Sequence, residues 1–340
     1  MNMPIDTVGR QAPVQQRNDP NRHEVEPNEV RSVQYQGNDG KIEMHPSWRN
    51  TPLAGAMEGN TLDLSRVTPQ MLRDLGPTNT NILMDSYLAG REVDIRITNG
   101  NGSQHTTEVS GATALAMQMW GSGDSVAFAK AFAANPEAVM PYLTGNGARV
   151  LTAENIALIM REMQGSATSA TGRGGYDPSE LDALGTLVQT YLQRNAGEDP
   201  AKVRQAVEQL IGEINKTLEF NPQNAGVVTG ALISGMLKHF DQIEASDEMR
   251  NNIIGGVADT LGAAAGGFGP WGAAVGTGIA ALKGIYLAAN PPRDNAEVAS
   301  RLQGAIQLEW LQYPPQGWSR DDVQDAVNWV NTTILNNGQR

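Results

Sequence analysis

Between residues 135 and 222 one device occurs four times: a side chain able to cap a helix, followed directly by proline. The pairs are Asn135-Pro136, Asp177-Pro178, Asp199-Pro200 and Asn221-Pro222. A capping oxygen accepts a hydrogen bond from an amide of the first turn that has no partner within the helix. Proline is suited to the first helical position, where its missing N–H would have been unpaired in any case. A chain that starts helices this often is committed to helical packing. Glu180, three residues after Asp177, adds the spacing of a capping box. Thr68 before Pro69, with Gly76 as the stop, gives a further start and end, and Thr152 and Ser319 are further caps. The apolar residues agree. Val203, Val207, Leu210, Ile211, Ile214 and Leu218 lie on one stripe of a helix, as do Leu181, Leu184, Leu187, Val188 and Tyr191.

One segment breaks the helical period. In REVDIRITNGNGSQHTTEV, Val93, Ile95 and Ile97 alternate with charged residues, and NGNG turns the chain. That is a β-hairpin over about residues 91–109, expected to be the one β element of note. The reading is therefore a mainly α, multi-helix bundle with one small β-hairpin and a disordered N-terminal tail. Residues 1–60 are the tail, polar and without apolar period. Residues 61–164 are a helical subdomain carrying the hairpin. The small-residue stretch at 165–178 is a linker, and 179–340 is a helical bundle. Trp48 is expected to anchor the tail on the body.

Residues 253–290, IIGGVADTLGAAAGGFGPWGAAVGTGIAALKGIYLAAN, are dominated by glycine and alanine. No charge falls between Asp259 and Lys283. The stretch divides at Pro270 and Trp271 into two helical arms. Small residues recur at four-residue spacing on each: Ala258, Gly262 and Gly266 on the first, Gly272, Gly276, Ala280 and Gly284 on the second. Such rows lie on one helix face and let two backbones approach closely. Gly226, Gly230 and Ser234 repeat the device in the helix after Pro222. The 253–289 pair is expected at the centre of the bundle, because helices without a polar face belong in a core. In pattern it resembles the buried hairpin of pore-forming colicins and similar bacterial toxins, over residues 251–290 and the helical surroundings. That resemblance implies insertion into a target membrane, with Asp259 as the residue that opposes insertion at neutral pH.

Composition narrows the function. The net charge is −12 with 25 basic and 37 acidic residues, and basic clusters are absent, which excludes a nucleic-acid partner. Without cysteine, thiol chemistry, iron–sulfur clusters and disulfides are excluded. The N-terminus lacks the apolar core of a Sec signal. In its polar character it resembles the leaders of bacterial type III effectors. This implies export through a dedicated machine, a cytoplasmic stay before export, and a secretion chaperone at the tail.

No catalytic motif is present. The histidines, His23, His45, His105 and His239, show no metal spacing, and GRGG at 172–175 lacks the ending of a phosphate loop. His105, Glu108 and Asp94 could meet on the hairpin. Trp310, Tyr313, Trp318 and Trp329 concentrate the aromatics near the C-terminus, either as a core cluster or as partner-binding anchors. No cofactor and no metal is expected, and the catalytic residues of any enzyme here would be unknown. The expectation is a secreted bacterial effector or toxin-like protein that binds a target-cell protein or membrane. Two alternatives are a hydrolase with a dispersed acidic site and an assembly protein of a phage or secretion apparatus.

Overall fold

The structure, a computed structural model, describes residues 25–27, 29–145, 150–171, 178–219, 221–263, 269–315 and 317–335. The protein is mainly helical, with two small antiparallel sheets in its N-terminal third. One sheet joins β1 (Val30–Tyr35), β5 (Glu92–Asn99) and β6 (Gln104–Ser110), with β5 in the middle. The other joins β2 (Lys41–Glu43), β4 (Thr61–Asp63) and β3 (Met57–Glu58), with β4 in the middle.

Two expectations are corrected here. The hairpin exists, but it is part of a three-stranded sheet, and a second sheet stands beside it. The tail assigned to residues 1–60 is folded from residue 30 onward, while residues 1–24 lie outside the described residues. Short polar strands such as Lys41–Glu43 bury a single side chain, Ile42, and leave no periodic trace. The segment is fixed by packing. Trp48 is fully buried, against Tyr87 at 4.9 Å and His45 at 5.8 Å between ring centroids. It is the expected anchor, within a folded layer.

Short helices α1 (Pro69–Asp74) and α2 (Pro77–Asn81) follow, and a π-helical turn over Ile82–Leu88 leads into β5. Thr68 caps α1, accepting from Met71 N at 3.2 Å. Then come α3 (Gly111–Gly121), α4 (Ser125–Ala134), α5 (Pro136–Thr144), α6 (Ala153–Thr171), α7 (Pro178–Ala196), α8 (Pro200–Thr217) and α9 (Pro222–Gln242). The last four are α10 (Asp247–Ala263), α11 (Gly269–Tyr286), α12 (Asn295–Gln312) and α13 (Arg320–Leu335). The proline device marks four of these starts. Asn135, Asp199 and Asn221 each accept from first-turn amides, whereas Asp177 lies outside the described residues. Ser319 and Asp322 form a reciprocal box, with Asp322 N donating to Ser319 Oγ and Ser319 N to Asp322 Oδ2. The 165–178 stretch is not uniformly a linker: α6 continues to Thr171, and residues 172–177 lie outside the described residues.

The centre of the C-terminal bundle is α9. It packs on α7, α11 and α13, and its residues from Asn224 to Leu237 are buried throughout. Glycines make this possible. A methyl group on Gly226 would fall 2.7 Å from Ala326 Cα, and one on Gly230 would fall 2.8 Å from Thr333 Oγ1. Among the small-residue rows, Gly226 and Gly230 thus have the close approach that their spacing suggests.

The α10–α11 pair is peripheral, which corrects the expectation that it is central. Ile253, Ile254, Val257 and Leu261 face inward on α10, with Ala274, Val275, Ile279 and Leu282 on α11. Asp259, Gly262, Ala273, Ala280 and Gly284 are exposed. The bulky residues took the core because they bury more apolar area than glycine and alanine. The small residues divide: Gly272, Ala274 and Gly278 are buried, with no room for a methyl group on Gly278 beside Thr229 of α9, while Gly262, Ala273, Ala280 and Gly284 stay outside.

Candidate functional site

A cleft of about 1250 Å³ opens between β6 and the helices α3, α5 and α7. Its walls come from neighbouring stretches of chain. Val93, Ile95 and Ile97 alternate inward on β5 and are buried, and β1 packs on α3. At the end of β6, Ser110 caps α3 by accepting from Thr113 N at 3.1 Å. Thr113 Oγ1 donates to Ala138 O at 2.6 Å. The strand wall and the α5 wall are therefore tied together at one end. At the other end the NGNG turn rests on the incoming chain, with Gly100 N donating to Glu29 O at 2.8 Å. A side chain on Gly100 would fall 2.2 Å from Glu26 O, so only glycine fits there.

The lining is acidic above an apolar floor. Glu29, Glu92, Glu108 and Glu137 contribute carboxylates, Arg194 and His105 contribute bases, and Val109, Met117, Ala138 and Tyr142 contribute apolar surface. Glu29 is buried, and its Oε2 accepts from Glu26 N at 3.1 Å. Burial, and then the nearby charge of Glu29, push the Tyr142 hydroxyl well above the usual phenol range. Tyr142 therefore stays protonated and offers a donor, not a base.

The register separates His105, Glu108 and Asp94, the three residues that could have met on the hairpin. Asp94 stands opposite Glu108, while His105 stands opposite Ile97. Directly paired residues share a face, and successive residues alternate. Asp94 and Glu108 therefore occupy the outer face, and His105 the inner one. Among the described residues no group of three histidine and acidic side chains could hold a metal ion.

The backbone of β6 is more informative than its side chains. Asn99 N donates to Ser103 O beside the turn, and Gly111 N donates to Arg91 O at the far end. In an antiparallel ladder, alternate residues turn their backbone groups to opposite neighbours. With both ends fixed, His105, Thr107 and Val109 bond to β5. The N–H and C=O groups of Thr106 and Glu108 point away from the sheet, and β6 is its last strand. Thr107 Oγ1 lies 3.5 Å from Glu108 O, too far for a strong bond. The edge is open among the described residues, and sequence reasoning missed it. The signal was present as an exposed strand with no partner segment of alternating residues to its other side.

The residues singled out from sequence fall elsewhere. Asp259 Oδ1 and Lys283 Nζ form an ion pair at 2.9 Å that links α10 to α11. Ala258 is half-buried against the core, and Gly272 is buried. Gly276 would place a methyl group at ordinary contact, 3.6 Å from Leu261 Cβ, and Gly262 and Gly284 face open space. Gly266 lies outside the described residues, and Pro270 and Trp271 are described only as helical backbone of α11. None of the described residues forms a helix long and apolar enough to cross a membrane. Trp310 and Trp318 meet edge to face at 5.2 Å and close the bundle. Trp329 is half-buried, and Tyr313 is exposed beside Leu308 and Leu311.

His239 is fully buried, with Nε2 2.8 Å from Gly197 O. Burial lowers its pKa. His45 Nδ1 accepts from Ser47 N and starts the short helical turn Pro46–Asn50. His23 and the GRGG stretch lie outside the described residues. Comparison with protein-family models, with curated proteins and with solved structures finds no match to this chain.

Proposed function

We propose that this protein is an exported, effector-type binding protein that seats a target-cell polypeptide in the cleft beside β6. The observation that supports the reading best is the open edge of β6 forming one wall of a cleft large enough for a peptide. An exposed edge is a ready template for strand pairing, and folds usually cover or blunt it. The polar start of the chain, its acidic balance and its lack of cysteine support export. The α10–α11 pair serves in this reading as a packed outer layer of the bundle, clamped by Asp259 and Lys283.

A hydrolase with a dispersed acidic site is the second reading, favoured by the four glutamates around the same cleft. Glycoside cleavage needs two carboxyl groups on either side of one bond, about 5–9.5 Å apart.

A photo-crosslinking amino acid placed at Thr107, with Asn328 on α13 as the remote control, tests the first reading in bacterial and eukaryotic cell extracts. A discrete protein adduct from position 107 alone is expected. Equal labelling from both positions, or none from either, contradicts it. Glycoside or ester turnover that disappears in Glu137→Gln would establish the hydrolase instead.

A further inference from the structure

We propose that the segment taken by the cleft is an extended basic peptide, with Lys or Arg alternating with apolar residues. It adds to β6 as a fourth strand of the β1–β5–β6 sheet. This rests on the reading above, that the cleft seats a polypeptide.

The backbone sets the first requirement. Thr106 and Glu108 each present an N–H and a C=O outward from the last strand. An incoming strand can pair with these groups in either direction. Because β6 spans Gln104–Ser110, a partner of about five to seven residues suffices at roughly 3.3 Å per residue.

The two faces of the sheet set the second requirement. On the outer face Asp94 stands directly opposite Glu108, and Glu92 lies one diagonal step away. Like charges directly opposed destabilise a sheet. Among the described residues none of the three is in an ion pair within 4.0 Å. A fourth carboxylate strengthens the field: Asp39 Oδ2 accepts from Asp94 N at 2.8 Å. Two cations stand nearby. Arg91 donates to the carbonyls of Asp39 and Lys41, and Arg96 is paired with Thr106, one step along the ladder. A cation on the next strand beside Glu108 would lie about 4.5–5.5 Å away between Cβ atoms, and would relieve the opposed pair.

The inner face points the other way. There the cleft has an apolar floor of Val109, Met117, Ala138 and Tyr142, with His105, Thr107, Glu29, Glu137 and Arg194 also lining it. A strand that sends alternate residues to the two faces meets carboxylates on one and the apolar floor on the other, which favours basic residues alternating with apolar ones. The same pattern discriminates partners, because an acidic strand would add charge to a repulsive site.

The test is fluorescence anisotropy with the full chain and a labelled heptapeptide of alternating Lys and Val at fixed ionic strength. Three comparisons accompany it: the same peptide with Glu for Lys, the Lys peptide N-methylated on alternate amides, and Glu108→Lys in the protein. Asp325→Lys, on the exposed side of α13, controls for net charge. Saturable binding is expected for the Lys peptide, weakened about tenfold or more by N-methylation and by Glu108→Lys, but little by Asp325→Lys. The N-methylated peptide leaves the protein unaltered, so its result does not depend on variant folding. The proposal is overturned if the Glu peptide binds as well, if N-methylation has no effect, or if no peptide binds. In any of these cases, continued crosslinking from Thr107 would leave the cleft reading standing and reject strand addition alone. Loss of both would reject both.

Discussion

The backbone of Gly226 lies directly against the backbone of Ala326. A methyl group at residue 226 would sit 2.7 Å from the Cα and 2.8 Å from the carbonyl oxygen of Ala326. Neither atom belongs to a flexible side chain, so α9 or α13 would have to move. Gly226→Ala is therefore expected to destabilise the protein by about 1–3 kcal/mol, as overpacking does. It does so although alanine favours helix by up to about 1 kcal/mol. Gly304→Ala, in the interior of α12 with nothing within 4 Å, is expected to stabilise by a few tenths to about 1 kcal/mol. Urea denaturation of both variants measures the contrast, and equal signs would contradict it.

His239 predicts a pH dependence. Burial lowers its pKa below the ordinary 6.5, so the unfolded chain binds its proton more readily than the native protein does. Stability from this group is complete above about 6.5, then falls as the pH drops through that value and toward the lower native one. Urea midpoints measured from pH 7.5 down to pH 5 should fall less steeply in His239→Gln than in the unaltered chain. Parallel curves would place the pH dependence elsewhere.

Trp48→Ala tests whether the N-terminal layer belongs to the cooperative fold. Its indole is fully buried and packed at a tilt against Tyr87, so removal should cost about 3–5 kcal/mol. A thermal melt that shifts by only a degree or two would mean that residues 30–60 unfold separately.

The ion pair of Asp259 with Lys283 is exposed on its acidic side. Asp259→Asn is expected to change stability by less than about 1 kcal/mol. Neither form is expected to release dye from anionic liposomes at pH 7 or pH 5. Release by the unaltered chain would establish the hairpin as a membrane device.

The helices were legible because their starts are chemically explicit. Asn135, Asp199 and Asn221 cap where their proline neighbours predict, and the stripe from Val203 to Ile214 is buried as its spacing requires. The hairpin was legible from the alternation of Val93, Ile95 and Ile97. What failed was the inference from small residues to burial. The spacing of Gly276, Ala280 and Gly284 is the same as that of Gly226 and Gly230, yet Gly276 has only ordinary contact and Gly284 open space, whereas Gly226 and Gly230 meet a neighbouring helix closely. Spacing states that a face is narrow, not that another backbone lies on it. β1 was missed because its burial is irregular: it is tied to β5 by backbone bonds that no side-chain period announces. The cleft was missed for a related reason. It is assembled from residues as distant as Glu29, Glu108, Glu137 and Arg194, and its decisive groups are the amides and carbonyls of Thr106 and Glu108, which are the same in every sequence.

The most direct measurement is amide hydrogen exchange along β6, in the free protein and with the Lys–Val peptide at saturation. The account predicts fast exchange at Thr106 and Glu108 in the free protein, beside slow exchange at His105 and Thr107, which bond to β5. On binding, Thr106 and Glu108 should become protected while the other two change little. Protection of Thr106 and Glu108 before any peptide is added, or none after it, would contradict the open edge on which the account depends.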